Sequence, residues 1–202
     1  MKKAKNRVVA LTGGIATGKS VVSKHLSTHH GFTVINADIV GHEVLQEPDV
    51  AEKIRLSFGE DTIENKEINR KKLGKIVFSD PSKLSLLNSI VHPLLIAKAL
   101  EKILSTPPEA KIVFEAAVLI EAGWHKHFNK VIVTTCSPEI QLKRVMERDK
   151  LSKEEALKII SSQIPQSERA QFADYIVDTS KGLQSVTAKL DEIVNQLKIE
   201  GF

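Results

Sequence analysis

Residues Gly13 to Ser20 read Gly-Gly-Ile-Ala-Thr-Gly-Lys-Ser and follow the apolar run Val8-Val9-Ala10-Leu11. The pattern G-x-x-x-x-G-K-[ST] is met by Gly13, Gly18, Lys19 and Ser20. A buried strand, a Gly-rich turn and a following helix make it a phosphate-binding loop, and that order fixes the local fold. Gly13 and Gly18 allow backbone angles and close approaches that a Cβ blocks. The backbone of Gly13, Gly14, Ile15, Ala16, Thr17, Gly18, Lys19, Ser20 and Val21 can therefore close around phosphate oxygens, with N–H groups pointing inward. The helix starting near Gly18 adds its positive end. Lys19 brings a mobile charge to the β- and γ-phosphates of a nucleotide, and the Ser20 hydroxyl can ligate Mg²⁺.

Strands and helices alternate along the chain. Strands are expected at Val8–Leu11, Phe32–Ile35, Lys111–Phe114, Val131–Thr135 and Tyr175–Val177. Helices are expected over Lys19–His29, from Asn36–Asp38 to about Gln46, and over Val50–Phe58 and Arg70–Phe78. Pro81–Leu104 is also read as helical, with His92-Pro93 starting a new helix. Ser137-Pro138 caps a helix to about Arg148, Ser152 with Glu155 forms a capping box, and Leu183–Ile199 closes the chain. Gly59–Asn69 is polar and turn-rich. The order predicts an α/β fold, a five-stranded parallel sheet with helices on both faces. Two helical stretches fit that sheet poorly: about 48–105, expected as an insertion over the site, and about 144–170, expected as a lid. The whole, 202 residues long, is read as one domain with these additions.

Net charge is +4. Mild basicity suits a polyanionic small molecule. The basic residues are scattered and there is one Trp and one Tyr, so no stacking platform for nucleic acid is visible. The single cysteine, Cys136, excludes an internal disulfide and a cysteine metal cluster, and is read as a small buried residue. No apolar run is read as reaching a membrane span. Met1-Lys2-Lys3 ahead of Val8 only faintly mimics a signal peptide, and the Lys-rich N-terminus is read as a solvated tail. The expectation is a cytoplasmic protein with small-molecule partners, no nucleic acid and no membrane.

Asp38-Ile39-Val40-Gly41 spells the D-x-x-G of GTPases, and Asn65-Lys66-Glu67-Ile68 approaches the guanine-reading N-K-x-D. Ile68 stands where that motif needs Asp, and Asp38 comes early for a GTPase switch, so a GTPase is not expected. A carboxylate at the C-terminal end of a strand beside the loop faces the ligand crevice. There Asp38 could accept a proton from an attacking hydroxyl or hold Mg²⁺ through water; the alternative is a helix cap. Alternation along the strand end places Asn36 and Asp38 on one side.

Arg144, Arg148 and Arg169 fall in the lid stretch, where phosphoryl transfer needs movable cations; a solvated helix face is the alternative. Arg144 and Arg148 share a face. His25, His29 and His30 lie along one helix with no fourth ligand evident, and are read as solvated surface. His92 either caps a helix or lines an acceptor pocket.

The motifs beyond the loop add a family resemblance. Leu11-Thr12-Gly13-Gly14-Ile15, Ala37-Asp38, Arg70-Lys71-Lys72-Leu73-Gly74 with Val77-Phe78, and Leu87-Asn88-Ser89-Ile90-Val91-His92-Pro93 come first in order. Gln141-Leu142-Lys143-Arg144 through Arg148-Asp149, then Gln163, Arg169, Ala173 and Asp174, follow. Together they resemble the dephospho-CoA kinase family. The resemblance implies a P-loop kinase fold, ATP with Mg²⁺, and transfer of the γ-phosphoryl group to the ribose 3′-hydroxyl of dephospho-CoA. It implies Asp38 as base, catalytic roles for Lys19, Arg144 and Arg148, and Arg70 and His92 with Asp38 in the acceptor pocket. A kinase for another nucleotide-like acceptor, or a nucleotide-dependent switch protein, are the alternatives. Two departures stand out. Asn36 replaces the first Asp of the family's D-A-D, and Ala117-Val118-Leu119-Ile120-Glu121 replaces its P-L-L-F-E. The run Ala116–Trp124 resembles the kinase half of the animal bifunctional CoA synthase, but no adenylyltransferase half is found.

Overall fold

The apolar run before the loop becomes β1 (Arg7–Gly13), with Val8, Val9, Ala10 and Leu11 all buried. That near-continuous burial is what a central parallel strand requires. The computed structural model describes residues 7–65 and 67–202. The N-terminal lysines read as a solvated tail, and Lys66 of the guanine-motif near-match, lie outside the described residues. The chain divides into two compact units, one running to Asn36 and resuming at Ile103–Phe202, the other Ala37–Lys102.

In chain order, β1 is followed by α1 (Lys19–His30) and β2 (Thr33–Asn36). The second unit then holds α2 (Ala37–Leu45), α3 (Pro48–Phe58), β3 (Ile63–Glu64), β4 (Glu67–Ile68), α4 (Arg70–Phe78) and most of α5 (Pro81–Ser105). The first unit resumes with β5 (Lys111–Glu115), β6 (Lys130–Thr135), α6 (Pro138–Asp149), α7 (Lys153–Ser161), α8 (Gln166–Ala170), β7 (Tyr175–Asp178) and α9 (Leu183–Ile199).

The five long strands form one parallel sheet in the order β2-β5-β1-β6-β7, as the alternation of elements predicts. On one face Val9, Leu11, Val113, Ile132 and Val177 pack with Val22 and Leu26 of α1 and with Val186, Leu190, Ile193, Val194 and Leu197 of α9. The buried α9 residues are those that a helical period aligns on one face. On β5, Phe114 stacks on Phe128 at 4.9 Å and meets Trp124 edge-on at 6.3 Å. Cys136, just past β6, is buried, and burial raises its thiol pKa.

Three expectations are corrected. First, Pro93 does not start a helix. It lies inside α5, one helix of 25 residues. Pro removes one backbone donor, and the buried stripe of Leu95, Ala99 and Ile103, four apart, anchors the half of α5 that follows it. By length and composition α5 is long and apolar enough to cross a membrane, which the split reading had missed. Within the second unit its charged residues are engaged: Lys98 pairs with Glu47, and Lys102 Nζ lies 3.0 Å from Glu43. Second, the polar stretch before Arg70 contains the small antiparallel hairpin β3–β4. Asn65 takes φ 52°, a left-handed angle that Asn tolerates, and Glu67 and Ile68 of the N-K-x-D near-match form β4. Third, His25 and His30 are not solvated. Their side chains are 10% and 16% exposed against α9.

Candidate active site

β1 ends at Gly13, and the chain turns through Gly14–Thr17 into α1. A Cβ on Gly13 would lie 2.0 Å from Thr134 Oγ1, 2.5 Å from Thr17 Oγ1 and 2.8 Å from the Thr134 carbonyl. Gly18, the N-cap of α1, has φ 91° and offers no side chain to the first helical turn, which carries no acidic residue. The positive end of α1 is thus left to an external anion. Ala16 is held at φ 57°, a strained angle for a residue with a Cβ.

Side chains distant in sequence hold this turn in place. Thr17 Oγ1 donates to the Gly14 carbonyl at 2.8 Å and shares a 2.8 Å hydrogen bond with Thr134 Oγ1. Ile15 is gripped on both sides: its N–H donates to Gln163 Oε1 at 2.7 Å, and its carbonyl accepts from Gln141 Nε2 at 2.9 Å. Gln141 is in turn fixed by Gln166 Nε2 at 2.8 Å. Thr179 Oγ1 contacts the Thr17 carbonyl at 3.0 Å. A loop anchored this way is preorganised for its ligand. We expect Gly13→Ala to cost about 1–3 kcal/mol, as overpacking does, because the added methyl meets backbone as well as side chains. Chemical denaturation measures it, and an unchanged midpoint would show that the contact with β6 is slack.

Lys19 Nζ donates to the Gly13 carbonyl at 2.7 Å and the Gly14 carbonyl at 3.2 Å, so its ammonium lies over the loop. Ser20 is exposed in the first turn of α1. Beside the loop opens a cleft of about 690 Å³ lined by Ser20, Val21, Arg144, Arg148, Leu183 and Val186, among others. That volume lies in the range of small-molecule sites.

The structure brings Arg144 and Arg148 to this cleft in different states. Arg144 is held: Nη1 donates to Thr179 Oγ1 at 2.8 Å and to the Ala16 carbonyl at 3.3 Å, and Nη2 to the Thr179 carbonyl at 2.9 Å. Arg148 is exposed and forms a two-pronged pair with Asp149, both bonds 2.8 Å. Arg169, expected among the movable lid cations, is instead fully buried. Its Nη1 donates to the Ala117 carbonyl at 2.8 Å and to Thr12 Oγ1 at 3.2 Å, and its Nη2 to Glu121 at 2.7 Å. Position 117 contributes its carbonyl, which any residue supplies.

In the second unit, Asp38 is exposed and is the second residue of α2. β2 runs directly into that helix, so the cap position falls on Asn36, and the strand alternation expected to align Asn36 with Asp38 stops at Ala37. Arg70 is exposed and opens α4, followed by Lys71 and Lys72. Asn69 caps that helix by accepting from the Lys72 N–H at 3.0 Å. Cations at a helix N-terminus oppose the helix dipole, and an incoming anion reverses the sign of that effect. His92 is half-buried within α5, not at a helix start, and burial lowers its imidazole pKa.

Sequence reasoning had no role for Thr134 or Thr179. It placed Gln141 and Gln163 in motifs without seeing that they grip Ile15. Only the motif positions of the two glutamines marked them; the threonines carried no local signal.

Residues 7–185 match the Dephospho-CoA kinase family. The chain belongs to the dephospho-CoA kinase family. It is 37% identical over 185 residues to the dephospho-CoA kinase of Fusobacterium nucleatum, an alignment covering 91% of this chain and 95% of that protein. Among solved structures, it is similar to dephospho-CoA kinase from Campylobacter jejuni, with TM-score 0.73, 31% identity, and 98% and 100% of the two chains covered. It is also similar to the protein TT1252 of Thermus thermophilus, with TM-score 0.82, 26% identity, and 95% and 97% covered. The family match over residues 7–185 includes the loop, Asp38, Arg70, His92, Arg144 and Arg148.

Proposed function

We propose that this member of the dephospho-CoA kinase family transfers the γ-phosphoryl group of ATP to the ribose 3′-hydroxyl of dephospho-CoA, giving CoA and ADP, in the cytoplasm. The observation that carries the reading is the anchored phosphate loop at Gly13–Ser20 in a chain matching that family over residues 7–185. The loop amides and the start of α1 hold the β- and γ-phosphates, and Lys19 swings from the Gly13 and Gly14 carbonyls onto the transferring group. The exposed Ser20 hydroxyl is a hard oxygen donor that suits Mg²⁺ with phosphate oxygens and water. Mg²⁺, when bound, neutralises charge on the phosphate oxygens.

The cleft beside the loop takes the nucleoside end of ATP, with Arg144 and Arg148 in its lining. Residues about 144–170 act as the lid. Asp38 takes the proton of the 3′-hydroxyl as that oxygen attacks the γ-phosphorus, while the bond to the bridging oxygen of ADP breaks. By the family resemblance, Arg70 and His92 contribute to the acceptor site.

A coupled ADP-release assay with dephospho-CoA, AMP, adenosine and pantothenate tests this. ADP release should depend on dephospho-CoA and be weak with the others. Equal or faster turnover with AMP or adenosine would transfer the assignment to a nucleotide or nucleoside kinase.

A further inference from the structure

We propose that His25, His30 and Asp191 form a binding site for a divalent transition-metal ion of the zinc type, linking α1 to α9. Each residue offers one ligand atom, and the three lie within 4.8 Å of one another. Asp191 Oδ1 is 2.9 Å from His30 Nε2 and 3.9 Å from His25 Nε2. A tetrahedral zinc ion with bonds of about 2.0–2.1 Å separates its ligand atoms by about 3.3 Å, so small side-chain rotations close the set.

A second observation points to a ligand. Nε2 of both His25 and His30 is buried, and both nitrogens share one partner, the Asp191 carboxylate, at 3.9 Å and 2.9 Å. One carboxylate serves two buried imidazole nitrogens, and a metal ion bound by all three groups satisfies both at once.

The neighbours orient the set. His29 stacks on His25, ring centroids 4.3 Å apart, and its own Nδ1 is hydrogen-bonded to Thr28 Oγ1 at 2.7 Å. It steadies the His25 ring and is not part of the cluster. The Asp191 side chain is 59% exposed, so an ion has an entry path and water can supply the fourth ligand. Two imidazoles with one carboxylate suit Zn²⁺ and its neighbours. Mg²⁺ and Ca²⁺ take oxygen ligands, so this donor set discriminates against the ion expected at Ser20. His30, the last residue of α1, is about 15 Å along the helix from Ser20 at its first turn. An ion here would clamp the far end of the helix that carries the phosphate loop, and would stabilise the fold by mass action.

The test uses tag-free, chelator-stripped protein without nucleotide, titrated with Zn²⁺ by calorimetry and with Co²⁺ by visible absorption. One equivalent of Zn²⁺ should bind, Co²⁺ should give the intense absorption of a four-coordinate site, and Zn²⁺ should raise Tm. His25→Gln, His30→Gln and Asp191→Asn should each weaken Zn²⁺ binding at least about ten-fold, as loss of one ligand would. His29→Gln should retain it. Metal-free circular dichroism checks that the variants fold, and the Co²⁺ spectrum of the unaltered protein tests the site without any substitution. Absence of saturable Zn²⁺ binding, an octahedral Co²⁺ spectrum, or equal affinity in His25→Gln/His30→Gln would overturn the proposal.

Discussion

Lys19→Ala should lower kcat by about 10²–10³-fold while the protein remains folded, the loss typical of removing one charge-stabilising donor from a reaction centre. The ammonium lies over the loop, 2.7 Å from the Gly13 carbonyl and 3.2 Å from the Gly14 carbonyl. These contacts hold the ammonium at the loop that the proposed function assigns to the phosphates of ATP. Charge on the transferring group is redistributed in the transition state, so the ammonium contributes more there than in the ground state. The effect should thus fall on kcat more than on KM for ATP. The loop should keep its shape in the variant, because Thr17, Gln141, Gln163 and Thr179 hold it independently of Lys19. Steady-state kinetics with a melting curve decide the matter: near-normal kcat in a folded Lys19→Ala protein removes Lys19 from the chemistry.

Asp38→Asn should lower kcat by about 10²–10⁴-fold, the usual contribution of a positioned general base. The substitution keeps size and hydrogen bonding but removes the proton acceptor, since an amide cannot take a proton at neutral pH. A helix-cap role predicts the opposite, because Asn caps as well as Asp. The structure sharpens the contrast: Asp38 is the second residue of α2, and the cap position belongs to Asn36. A first-turn carboxylate contributes about 0.3–1 kcal/mol through the helix dipole, so Tm should move little. Full activity in Asp38→Asn would leave the carboxylate with only that small electrostatic role. The assay also reports on Asn36. The family pattern offers two acids after this strand, and a large loss would show that Asp38 alone performs the proton transfer here.

The sequence by itself determined what is local. The loop from Gly13 to Ser20 was legible because a phosphate cradle needs glycine where a Cβ cannot fit. Gly13 against Thr134 and Gly18 at φ 91° bear out that requirement. The five parallel strands were legible because buried strands and amphipathic helices leave periodic apolar patterns within a few residues. The capping box at Ser152 and Glu155 was read directly and is present. A local rule failed at one proline. Pro93 signals a helix start, yet α5 runs unbroken from Pro81 to Ser105, and its buried stripe Leu95–Ala99–Ile103 lies in the half beyond the proline.

Only the tertiary structure decided what the distant side chains do. Arg169 and Arg144 looked like the same kind of lid cation as Arg148. One is buried on Glu121, one is bonded to Thr179, and one is exposed. Gln163 meets Ile15, and Asp191 meets His30, across most of the chain. Such pairings leave no mark in spacing or composition. They exist because the parallel sheet returns remote segments to one edge, and each new β–α unit lays its helix against residues laid down long before.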